Sequence, residues 1–166
     1  MTVHVAILKP AFADAVVRGD KTVEARLTKS RRPPWDVIAP NDHVFIKQSA
    51  GPYRALARAD FVVQHTIESP DALRLAVRPW LERLGPPDHV QRFIDAKADS
   101  TRFAVFVGLR DVIETDTGPI LPPTNGRAWL RLDAERPERL PMRRTPPPGD
   151  HPHQRPLWPD THHHAH

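Results

Sequence analysis

The segment Gly19-Asp20-Lys21-Thr22-Val23-Glu24-Ala25-Arg26 restricts how the first part of this chain can fold. It crowds a lysine, a carboxylate and a guanidinium into one turn and the strand that follows. Lys9-Pro10, just before it, opens a stretch in which Phe12, Ala15 and Val16 recur at helical spacing. Pro10 suits a first helical position, where its missing N–H costs nothing. Gly19 suits the residue after a helix, where a left-handed backbone is needed. Lys9 and Lys21 are therefore expected at opposite ends of one short helix. Alternation then places Thr22, Glu24 and Arg26 on one face of the next strand, with Val23 and Ala25 on the other.

The rest of the chain reads as short alternating elements. Val3–Leu8 is expected as a strand, Pro10–Arg18 as a helix and Lys21–Leu27 as a second strand. A loop from Lys29 to Asn41 carries Arg31-Arg32-Pro33-Pro34-Trp35 at its centre. His43–Gln48 and Tyr53–Val63 alternate as strands, and Ala55, Ala57, Ala59, Phe61 and Val63 are expected to point one way. Ser69-Pro70-Asp71 is a helix start, and Leu73, Ala76, Val77, Trp80, Leu81 and Leu84 follow helical spacing. Pro79 should kink or split that helix. A further short helix is expected around Val90–Lys97, and Thr101–Leu109, apolar on both faces, as a central buried strand. The order β-α-β-β-β-α-α-β predicts an α+β fold: a small antiparallel barrel with short flanking helices.

Proline usage divides the chain. Eight of the 20 prolines and six of the 10 histidines lie between Asp133 and His166, with few aliphatic residues. Such a segment buries too little apolar surface to offset the entropy of ordering, so a disordered Pro/His-rich tail is expected over residues 133–166. A folded domain is expected over residues 1–116. Residues 117–132 are expected as an extension whose Trp129, Leu130 and Leu132 could dock back on it. No cysteine is present, which excludes disulfides, thiolate chemistry and cysteine-held zinc. The Met1 end lacks a secretory pattern, and no apolar run approaches the ~20 residues of a membrane span. A cytoplasmic protein with no membrane partner is expected.

The formal charge is +4, unevenly spread. Residues 1–58 hold ten Lys/Arg against five Asp/Glu, and the remainder sums to about zero. A basic patch there would attract a phosphate backbone; a solvated face is the plainer alternative.

The pattern G-x-K-T-x-E-x-R, preceded by a strand, Lys-Pro and a short helix, resembles the signature of the ASCH family. The likeness runs from about Val3 to about Asp111 and is sharpest over Ile7 to Arg26. It implies a small β-barrel similar to the PUA domain, with recognition of RNA or a modified nucleoside. Some branches are similar to amidohydrolases or ribonucleases. Similar proteins also carry a proline-then-tryptophan extension, which implies order over residues 117–132.

On this reading Lys9, Lys21 and Arg26 would meet phosphate or base oxygen, and Glu24 would accept from an exocyclic amine. Lys21, if partly buried, could instead act as a base; if solvated, it stays protonated and suits phosphate. Glu24 and Arg26 could equally pair with each other. Trp35 and Tyr53 are candidate stacking surfaces, with Trp35 as a lid on the barrel the alternative. The alternative function is a hydrolase acting on a nucleoside or RNA, with Lys21 as base and Glu24 beside it. The amidohydrolase branch has a lysine that maps onto Lys21, but its threonine position falls on Glu24, and Glu68 and Glu82 lie only in the vicinity of its third residue. For RNA cleavage His43, His65, Lys21, Lys47 and Ser49 are raw material without a telling spacing. No cofactor or metal is expected; the His162–His166 run lacks folded-site spacing. The Pro-rich tail could serve as ligand of another protein.

Overall fold

The computed structural model describes residues 1–147. Strand β1 (Val3–Leu8) leads through helix α1 (Pro10–Arg18) into β2 (Val23–Thr28), and a long loop leads to β3 (His43–Gln48) and β4 (Tyr53–Thr66). Helix α2 (Pro70–Val77), a 3-10 turn over Arg78–Arg83 and helix α3 (Pro87–Lys97) precede β5 (Phe103–Glu114). β6 (Thr117–Pro119), β7 (Trp129–Leu132), a 3-10 turn at Pro137–Arg139 and β8 (Met142–Arg144) follow. None of the described helices is long and apolar enough to cross a membrane.

Local chemistry sets the helix ends. Pro10 occupies the first turn of α1, and Gly19 stops it at φ +85°. Ser69 caps α2, its side chain accepting from the Ala72 N–H at 3.0 Å. The apolar spacing continues past Val77, but Pro79 has no N–H for an α-helical bond, and the chain tightens into the 3-10 turn.

Six strands form one curled, mixed half-barrel in the order β2-β5-β4-β3-β1-β7. Neighbours are antiparallel except β1 and β3, which run parallel from Val3↔His43 to Leu8↔Gln48. The all-antiparallel expectation fails at that pair because α1 and β2 intervene, supplying the long connection a parallel pair needs. β5 lies between β2 and β4, central as expected.

Apolar side chains pack on both faces of the sheet. Ala6, Ile46, Ala57, Val105 and Val107 share one cluster with Ala13 and Val16 of α1 and with Trp129. Val23, Ala25, Ala104 and Phe106 pack with Leu73, Val77, Val90 and Ile94 of α2 and α3. Val3, Val5, Phe45, Tyr53 and Leu130 form a third cluster, against which Leu121, Leu132 and Leu140 lie. The expected single face of β4 breaks at a register shift between Ala59 and Val62. Ala59 and Val62 both join the first cluster, while Phe61 and Val63 turn to the second.

Regular backbone continues past Asp133, the expected start of the tail. Pro137 is buried and β8 pairs with β6 from Thr117↔Arg144 to Pro119↔Met142. Few apolar residues suffice here, because Ala134 and Leu140 pack on a cluster the strands have already built. The rest of the expected tail, including the His162–His166 run, lies outside the described residues.

Candidate ligand site at the Lys21, Glu24 and Arg26 cluster

The turn after α1 aims Lys21 inward. The Ala15 carbonyl accepts from the N–H groups of both Asp20 and Lys21, at 2.9 and 3.0 Å, so the chain folds back over the last helical turn. Lys21 is 3 % exposed. Its ammonium donates to the carbonyls of Val23 and Leu84, each at 2.7 Å, and lies 3.1 Å from Glu24 Oε1. The Phe12 ring sits 5.2 Å from the same nitrogen. The Thr22 N–H donates to the Arg83 carbonyl at 2.9 Å, so the 3-10 turn is sewn to the motif at two consecutive residues.

Period two brings Glu24 and Arg26 together as expected. Glu24 Oε2 accepts from Arg26 Nε at 3.0 Å and Nη2 at 2.6 Å, and Oε1 accepts from the Ala25 N–H at 3.1 Å. Arg26 reaches across the open side of the half-barrel. It donates to the Ala128 carbonyl at 2.9 Å and the Ile7 carbonyl at 3.0 Å, and lies 5.3 Å over Trp129. This one guanidinium joins β2, at one end of the sheet order, to β1 and the approach to β7 at the other.

The electrostatics follow from burial. Desolvation pushes Glu24 up, but the charges and hydrogen bonds of Lys21 and Arg26 outweigh it, holding the carboxyl below its usual range. Desolvation lowers the Lys21 pKa, with Glu24 opposing. An ammonium has three protons, and here three acceptors take them.

The other candidates lie apart from this cluster. Lys9 is exposed at the start of α1, its carbonyl accepting from the Phe12 and Ala13 N–H groups. Trp35 is half-buried, edge-on to Phe103 with centroids 5.0 Å apart, in the lid position. Tyr53 is buried, and its hydroxyl donates to the Pro119 carbonyl at 2.5 Å. Its ring packs so close to Gly118 that a Cβ there would come within 2.5 Å. Tyr53 thus anchors the extension, and its ring is covered. It also lines an open groove of about 630 Å³ with Gln48, Arg54, Glu114 and Asp116, which includes no residue of the cluster. His43 opens β3 and Ser49 follows its last residue, roughly 20 Å away at strand rise, so they make no catalytic pair. Glu68 and Glu82 are exposed. Among the described residues no group of three or more His, Asp or Glu side chains is placed to hold a metal.

A second buried polar network escaped the sequence reading. His4, fully buried in β1, accepts from Trp129 Nε1 at 3.1 Å through Nδ1, which leaves Nε2–H to donate to Asp42 Oδ2 at 3.0 Å. Asp42 also accepts from the N–H groups of Thr2 and Ala39. The partners are 38 and 125 residues apart in sequence, so no local spacing signals them.

No family model matches the chain, and no curated protein does. Among solved structures it is similar to the ASCH protein of Zymomonas mobilis, at 22 % identity and a TM-score of 0.54, over 78 % of this chain and 87 % of that one. A serine-to-alanine variant of that protein aligns at 20 % identity and a TM-score of 0.58, over the same 78 % and 87 %. A tyrosine-to-phenylalanine variant gives 22 % and 0.54, over 69 % of this chain and 73 % of that one. With the curled sheet and the strand, helix and strand around Lys21, these alignments establish that the chain has the fold of an ASCH domain.

Proposed function

We propose that this domain recognises RNA or a modified nucleotide at the seam that Arg26 spans. The carrying observation is the way that guanidinium is held. Glu24 orients it, buried Lys21 anchors Glu24, and Arg26 itself keeps 14 % of its side chain exposed at the seam. The trio carries one positive charge in excess. Lys9 follows Ile7 by two residues and Arg127 precedes Ala128, so an exposed cation flanks each carbonyl that Arg26 grips. A cation fixed in place suits phosphate or a base carbonyl, because little ordering remains to be done on binding. The ASCH resemblance points to the same ligand class.

The hydrolase alternative gains less support. A base needs a free lone pair, and the Lys21 nitrogen is committed as a donor to Val23, Leu84 and Glu24. Lys21 and Glu24 act in this reading as positioning residues for Arg26.

The test spares the clasp. Lys9→Ala combined with Arg127→Ala should weaken binding of a fluorescein-labelled single-stranded RNA about tenfold at low salt. Its plot of log affinity against log salt should become shallower by about 0.7 per lost contact. Unchanged affinity and slope would remove the seam as the binding site.

A further inference from the structure

At the end of β2 away from Lys21, four cations stand without carboxylate partners among the described residues. Lys29, Arg31 and Arg32 are exposed on the loop after the strand, and exposed Arg102 donates its backbone N–H to the Thr28 carbonyl at 2.8 Å. Among the described residues the Arg32 side chain donates only to Ser30 Oγ, at 3.1 Å, and the Arg102 side chain only to the carbonyls of Asp99 and Thr101. Among the described residues elsewhere, six arginines are ion-paired with carboxylates and nine are not, so it is the clustering of four such cations that marks this patch. Of the acids beside the patch, Asp36 is engaged by Gln64, at 2.8 Å through both its N–H and its side chain. Glu68 and Asp99 are exposed beside Arg102.

The patch has a rigid floor. Phe103, opposite Thr28 in the ladder, carries the Arg31 guanidinium 5.3 Å from its centroid and the Trp35 ring 5.0 Å from it. Trp35 is itself packed on the inner cluster. Arg31 is thus a planar cation laid on an aromatic ring, with its hydrogen-bonding groups still to be filled.

We infer that this patch is a second contact surface for single-stranded RNA, where Lys29, Arg31 and Arg32 meet the backbone and Arg31 with Phe103 offers a plane for a base. The inference rests on the RNA reading of the seam and extends it to a ligand of several nucleotides. Arg26 at the seam and Thr28 at the patch are two residue steps apart on β2, about 7 Å at strand rise, and the loop of Lys29, Arg31 and Arg32 runs on beyond Thr28, so several nucleotides would follow β2 from one surface to the other. Stacked arginine planes suit unpaired bases, which favours RNA over an acidic peptide.

The experiment measures anisotropy of a labelled oligouridylate of about 12 nucleotides and of a labelled dinucleotide across a salt series. The triple variant Lys29→Gln, Arg31→Gln, Arg32→Gln should lose tenfold or more in affinity for the longer probe. Its salt slope should become shallower by about 2, while dinucleotide binding stays unchanged. Equal affinity and slope in wild type and variant overturn the patch, as does a wild type that does not bind the longer probe. Loss of oligoglutamate binding without loss of RNA binding overturns it too, in favour of an acidic peptide. If the triple variant weakens RNA binding and the Lys9, Arg127 variant does not, the patch stands and the seam reading falls; the reverse pattern removes the patch alone.

Discussion

Two buried polar networks dominate at the scale of single residues. Removing one member of the Lys21, Glu24 and Arg26 trio strands the rest. In Lys21→Met the Val23 and Leu84 carbonyls lose their donor and Glu24 loses one of two cations, so unfolding in urea should show a loss of about 3–5 kcal/mol. His4 supplies a pH dependence of definite sign. Burial lowers its pKa below the unfolded 6.5, against the pull of Asp42. The folded state therefore binds fewer protons, so this stability is fully present above pH 6.5 and drains as pH falls through the folded value. His4→Gln should flatten that part of a stability-versus-pH curve; an unchanged slope would mean another group supplies it. The sequence made the Glu24 and Arg26 pair legible, because strand alternation is a local rule. It hid the carbonyls of Leu84 and Ala128, which lie 63 and 102 residues from their donors.

Among elements, boundaries proved legible and pairings did not. Pro10, Gly19, Ser69 and Pro79 act within one turn, and each marks an end where the structure has one. The parallel partnership of β1 and β3 depends on where β2 goes, which no window of residues reports. The face of Phe61 was misjudged because a bulge shifts the alternation without any glycine or proline to mark it in the sequence. That bulge sets up a close approach between strands. Phe61 lies over Gly108 of β5, where an added Cβ would sit 2.3 Å from the ring, and stacks on Trp80 at 5.0 Å. Gly108→Ala should therefore cost about 1–3 kcal/mol and alter tryptophan emission as Phe61 is pushed off Trp80. A variant with wild-type emission and melting would show that the ring has room to move.

The whole molecule is a sheet covered by helices on one stretch and by its own extension on another, curled until its ends approach without a ladder between them. What spans that gap is one arginine, and what fills the neighbouring hydrogen-bonding vacancy is its partner carboxylate. The Ala25 N–H, on a strand paired along one side only, is taken by Glu24 rather than by another strand. An open strand border invites addition of a foreign strand. Glu24 thus keeps occupied, from within its own strand, a donor that an added strand would need.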